Sequence, residues 1–212
     1  MFSGVLLIVA IRLKIILLLI PLWIFSDHLH AAERKLLILG DSLSAAYNLK
    51  QEQGWVSLLQ NKWQDENIDV VNAAISGETS DGGLARFPRL LEQHSPTHLY
   101  LELGANDGLR GYPVKKMREN LSKIIELAQS QNINVIIQEM RIPTNYGPRY
   151  TRLFTEAFTK LAEQYEVPLL PFFLADIALK PELMQRDGLH PNLEAQPILA
   201  EQMAEWLLPH LN

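Results

Sequence analysis

From Lys35 onward the chain repeats one unit: a short apolar run, a polar turn, then a longer amphipathic stretch. The apolar runs are Leu36–Leu39, Ile68–Val71, His98–Leu103, Val135–Met140 and Val167–Phe172. They are mostly apolar on both faces, the pattern of strands covered by helices on both sides. Between them lie helical segments near Trp55–Glu66, Leu84–Gln93, Val114–Gln131 and Arg149–Tyr165. A last helix is expected from Pro197, a residue suited to the first helical turn, to about Leu208. Strand–helix alternation with short connections specifies a parallel sheet with right-handed crossovers. No repeat or inter-domain linker interrupts the alternation, so residues 33–212 are expected to form one α/β domain.

The first 32 residues stand apart from this pattern. Ile15–Phe25 are all apolar or Pro, and Arg12 and Lys14 precede them. A spanning helix needs about 20 apolar residues, whereas the core of a secretory signal needs roughly 7–15. With Ala31 and Ala32 following, residues 1–32 read as a signal peptide cleaved after Ala31 or Ala32, delivering a soluble domain to the periplasm. The long apolar stretch Val5–Ile11 and the large residues Leu29 and His30 before the cut run against cleavage. The alternative is an uncleaved inner-membrane anchor whose Arg12 and Lys14 reach the interface. The chain has no cysteine, which excludes disulfides, thiolate metal sites and a cysteine nucleophile. A net charge of −5 argues against nucleic acid as a partner, since phosphate contacts need a basic face.

In an open parallel sheet the ligand crevice lies beyond the carboxyl ends of the strands. Those ends carry Gly40-Asp41-Ser42-Leu43, the Asn72–Gly77 segment, Gly104-Ala105-Asn106-Asp107, the Arg141–Gly147 segment and Asp187-Gly188-Leu189-His190-Pro191-Asn192. Taken singly, each has a plainer reading as a turn, a helix cap or an ordinary loop. Together they hold the parts of nucleophilic acyl transfer. A serine hydroxyl such as that of Ser42 is inert until a base takes its proton, and His190 is the obvious base. The imidazole in turn needs a carboxylate to fix its tautomer, and Asp187 can fold back onto it across a Gly-containing turn. The oxyanion of the tetrahedral intermediate needs preorganised donors, which the Ser42 N–H, the Gly77 N–H and the Asn106 amide can supply. Asp107 and Asp41 are expected to brace these loops, Glu102 and Glu139 to act as structural hydrogen-bonders, and Trp55, Trp63 and Trp206 to pack in the core. His94 and His98 are four apart, but Pro96 between them breaks any helix, so no metal pair is expected.

With these blocks in order, the chain resembles the SGNH (GDSL-type) hydrolase superfamily. Ser42, Gly77, Asn106 and His190 stand at its four name-giving positions, within the strings LLILGDSLSAAY, VVNAAISGETSDGGLARFP, ELGANDGLRG, PTNYGPRY, VPLLPFF and DGLHPNLEAQP. The resemblance implies a three-layer α/β/α, flavodoxin-like fold with a five-stranded parallel sheet in the order 2-1-3-4-5. It implies Ser42 as nucleophile, His190 as base, Asp187 as its orienting carboxylate, and Ser42, Gly77 and Asn106 as the oxyanion hole. The implied activity is that of a monomeric serine esterase without metal or cofactor, acting on acyl esters and thioesters, lysophospholipids among them. Ala105 stands where close relatives carry glycine, which is harmless provided the residue does not need a positive φ. The α/β-hydrolase alternative needs Gly-x-Ser-x-Gly around its nucleophile, and Gly40-Asp41-Ser42-Leu43-Ser44 lacks the second glycine.

Two readings of other classes stay open on sequence: a carbohydrate O-deacetylase, and a catalytically silent binding module on the same fold. For the substrate, Leu109, Ile142, Pro143 and Tyr146 are the expected contacts, with Arg110 and Arg141 nearby. That mixture suits an acyl chain beside a polar or anionic head.

Overall fold

The computed structural model describes residues 34–211; the expected signal or anchor segment, residues 1–32, lies outside them. The chain runs β1 (Arg34–Gly40), α1 (Trp55–Lys62), β2 (Ile68–Asn72), α2 (Ser80–His94), β3 (His98–Glu102), α3 (Ala105–Leu109), α4 (Val114–Ser130), β4 (Asn134–Gln138), α5 (Pro148–Tyr165), β5 (Leu169–Leu170) and α6 (Ala195–Leu207). The five strands form one parallel sheet in the order β2-β1-β3-β4-β5. No described helix is long and apolar enough to cross a membrane.

Two helical layers cover the sheet, which explains the apolar runs. Along β1, Leu37 and Leu39 face one layer and Leu36 and Ile38 the other, and all four are fully buried. The first face packs against Phe87 of α2, Leu121 and Ile124 of α4, and Phe154 and Phe158 of α5. The second meets Trp55 and Leu59 of α1 and Leu199, Met203 and Leu207 of α6. Burying side chains of this size stabilises by about 1.5–3 kcal/mol each relative to exposure, so the sheet centre anchors everything attached to its strand ends.

Several elements depart from the expected boundaries, and three of these departures have a plain local cause. α2 begins at Ser80, not Leu84, although Gly82 and Gly83 are poor helix formers. Thr79 caps it by accepting from the Gly82 N–H, and a Cβ on Gly83 would collide with Leu103, so glycine lets the helix press onto the end of β3. The expected strand Val167–Phe172 shrinks to Leu169–Leu170. Pro168 and Pro171 flank it and have no N–H to extend the ladder. The Gly104–Asp107 segment, expected as a loop, turns directly into α3. Gly104 takes φ 114° to make that turn, and Ala105 does not need a positive φ.

Candidate active site

The strand ends of β1, β2 and β3 and the segment before α6 converge on one cleft. Gly40 ends β1, and Asp41 to Tyr47 form a tight series of turns that holds Ser42 half-buried at the floor. His190 Nε2 lies 2.8 Å from Ser42 Oγ, and His190 Nδ1 lies 2.7 Å from Asp187 Oδ2. Beside an ionised Asp187, Nδ1 carries the hydrogen and donates it, so Nε2 accepts from the serine hydroxyl. Burial pushes the Asp187 carboxyl up, but the hydrogen bonds from the Leu189 N–H and from His190 outweigh it and hold the group below the usual carboxylate value. Asp187 therefore stays ionised at neutral pH. Gly188, at φ 66°, turns the chain so that both side chains of this short segment meet.

Gly77 reaches the cleft from the loop after β2 at φ 80°, a conformation costly for any residue with a Cβ. Arg110 Nη2 donates to the Gly77 carbonyl at 2.9 Å. Among the described residues, neither the Ser42 N–H nor the Gly77 N–H is taken by a protein acceptor. Asn106, in the first turn of α3, donates one amide hydrogen to Asp41 Oδ2 at 3.0 Å, which leaves its second hydrogen to the cleft it lines. Asp41 also accepts from the Leu43 N–H at 3.0 Å. Asp107 does brace the segment: its carboxylate accepts from the Ser80 N–H at 2.8 Å and from Ser80 Oγ at 2.6 Å, tying α3 to the start of α2.

These groups line a cleft of about 450 Å³. Leu109, Ile142 and Pro143 contribute to its wall. Tyr146 stands beside the cleft: its hydroxyl donates to the Leu109 carbonyl at 2.6 Å and steadies that wall from behind. Sequence reasoning missed Phe172, Leu174, Ala178 and Met184, which also line the cleft. These follow β5 in irregular turns with no periodicity to mark them; the prolines at the strand's ends are the one signal. It also missed Tyr47, whose ring lies over His190 with centroids 4.2 Å apart and planes 29° apart.

The arrangement is one serine hydroxyl, one imidazole with its carboxylate, and three unspent or half-spent donors around a largely apolar cleft. The model of the GDSL-like Lipase/Acylhydrolase family matches residues 38–196, a stretch that contains every one of these groups. The chain belongs to the GDSL-like lipase/acylhydrolase family. Among its relatives, an arylesterase of Vibrio mimicus is 50% identical over 182 residues, 85% of this chain and 91% of that one. The thioesterase 1/protease 1/lysophospholipase L1 of Escherichia coli K12 is 48% identical, over 86% of this chain and 87% of its own. In structure, the GDSL fold of this chain is similar to the psychrotrophic esterase EstA from Pseudoalteromonas, crystallised with monoethylphosphonate as inhibitor. That match has a TM-score of 0.81 and 52% identity, and covers 83% of this chain and 97% of EstA.

Proposed function

We propose that this chain is a serine esterase that hydrolyses acyl esters and thioesters through an acyl-enzyme on Ser42. The observation that carries the reading is the continuous relay from Ser42 Oγ through His190 to Asp187, at 2.8 and 2.7 Å, on the floor of a largely apolar cleft. The enzyme class, an ester-bond hydrolase, accords with the family and with the esterase names of its relatives.

Each step falls to a named group. His190 Nε2 takes the Ser42 proton as Oγ attacks the acyl carbon, and Asp187 stabilises the imidazolium that forms. The negative charge that develops on the acyl oxygen is met by the Ser42 and Gly77 N–H groups and by the free Asn106 amide hydrogen. The imidazolium returns its proton to the departing alcohol or thiol, which breaks the ester bond. Water, deprotonated by the same imidazole, then attacks the acyl-enzyme and frees Ser42. The apolar walls favour an acyl chain over a sugar ring, which sets the carbohydrate deacetylase reading behind this one.

Residues 33–212 form the catalytic domain in this reading, and residues 1–32 a signal that exports it to the periplasm as a monomer. A hydrolysis panel of p-nitrophenyl esters, acyl-CoAs and lysophospholipids on the mature protein tests the activity, with Ser42→Ala as the control. Full turnover by that variant, or phosphonate labelling of another serine, would end the assignment. N-terminal sequencing of the exported protein tests the cut after Ala31 or Ala32.

A further inference from the structure

Behind Ser42, the fold buries one carboxyl group against another. Glu102, the last residue of β3, is 0% exposed, and Asp41 is 1% exposed. Glu102 Oε2 accepts from Ser44 Oγ at 2.7 Å and from the Asp41 N–H at 3.1 Å. A Cβ on Gly40 would fall 2.5 Å from that same oxygen, so the glycine is what lets the carboxyl sit there. Glu102 Oε1 meets no donor among the described residues. The bond from the Asp41 N–H to Glu102 Oε2 sets the two residues against each other in one buried cluster. The titratable groups that bear on the pair are Tyr100 from β3 and His190 from across the cleft, and no Lys or Arg among the described residues does.

Two ionised carboxylates are disfavoured in such a site, because no Lys or Arg among the described residues offsets their repulsion and four donors replace only part of their lost hydration. One proton resolves the conflict. Placed on Glu102, it turns a carboxylate into a donor, which suits a side chain whose second oxygen otherwise has no partner. Asp41 then remains an anion that accepts from Glu102, the Leu43 N–H and Asn106 Nδ2. We propose that Glu102 and Asp41 share a single proton and that Glu102 thereby acts as a positioning residue, fixing through Asp41 the Asn106 amide that faces the oxyanion. The proposal rests on the assignment of Asn106 made above. Burial, with Asp41 beside it, pushes Glu102 well above the usual carboxylate range, and burial raises Asp41 as well, the direction expected of a pair that keeps one proton. The gain is in preorganisation: a charge-assisted bond holds Asn106 before any charge develops on the substrate.

Two measurements test this. Infrared spectra near neutral pH should show a protonated-carboxyl C=O stretch that disappears in Glu102→Gln; absence of that band from the wild type overturns the shared proton. This arm needs no turnover, so it stands apart from any failure of the esterase reading, which Ser42→Ala reports. In kinetics, Glu102→Leu should lower kcat about tenfold or more with KM little changed, as for a group that serves only the transition state. Glu102→Gln, which keeps a donor for Asp41 and a carbonyl for Ser44, should recover most of that loss. In an Asn106→Ala background, Glu102→Leu should cost less than about twofold further, because its route to the oxyanion is already gone. A fully additive loss would overturn the positioning role. Should Glu102→Leu fail to fold, the infrared comparison with Glu102→Gln still decides.

Discussion

Tyr47 stacks on His190, ring over ring at 4.2 Å between centroids, from a turn that also carries Ser42 at its start. Tyr47 is partly exposed, so its ring shields one face of the imidazole from water while Ser42 and Asp187 hold its two nitrogens. Aromatic stacking of this kind contributes about 0.5–1.5 kcal/mol, roughly a twofold to tenfold effect on a rate that depends on ring orientation. Tyr47→Ala should lower kcat by that factor, and Tyr47→Phe should retain the wild-type value. Equal losses in both variants would show that the hydroxyl matters and the stacking does not.

Asn106 separates the oxyanion hole from the relay. Removing one such donor typically costs about 10²–10³ in kcat, or roughly 2.7–4 kcal/mol. Asn106→Ala should show that loss with KM little changed, and should still react slowly with a phosphonate because Ser42, His190 and Asp187 remain. His190→Ala should lose both turnover and labelling. A preserved kcat with a raised KM would mean that Asn106 only shapes its helix.

Gln185 clasps the two halves of the site. Its Nε2 donates to the Tyr47 carbonyl at 2.9 Å and to the Pro191 carbonyl at 3.1 Å, and its Oε1 accepts from Asn48 Nδ2 at 3.3 Å. Each such bond contributes about 0.5–1.5 kcal/mol net. Gln185→Ala should therefore lower the temperature at which activity is lost by more than it lowers the melting temperature of the sheet. Equal shifts in the two would show that the clasp serves the fold as a whole.

His98 makes stability depend on pH from the far end of β3. It is 4% exposed, with Nδ1 2.8 Å from Thr97 Oγ1 and Nε2 3.2 Å from Asn134 Nδ2. Burial, then the charge of Arg34, lowers its pKa below the ordinary 6.5. The unfolded chain takes up the proton first as pH falls. The contribution of neutral His98 is thus complete above the ordinary histidine value and lost as pH drops toward the folded one. Urea unfolding of the wild type and His98→Gln should converge as pH falls below about 6.5. A constant difference between them would refute the linkage.

Much of this was legible in residues 34–211. The apolar runs located all five strands because burial on both faces leaves a plain mark, and the polar segments after them held Ser42, Gly77, Asn106, Asp187 and His190. What escaped notice has no local signature. Glu102 reads as one polar residue at a strand end; that it meets Asp41 depends on the register of β1 with β3, which pairs Gly40 with Glu102. The cleft-lining residues from Phe172 to Met184 lie in turns whose path is set by what they pack on. Short β5 was overextended because its apolar run continued through prolines that cannot carry a ladder.

Those prolines reach beyond the length of β5. A parallel sheet has two open edges, and each is a template on which another chain can assemble. At β5 an incoming strand would find two residues between Pro168 and Pro171, too little to hold it. At β2 the amide of Gln60 occupies the template itself, accepting from the Val70 N–H at 2.5 Å and donating to the Ile68 carbonyl at 3.3 Å. Both borders of the sheet are thus closed to aggregation, one by residues that cannot pair and the other by a side chain that has already paired.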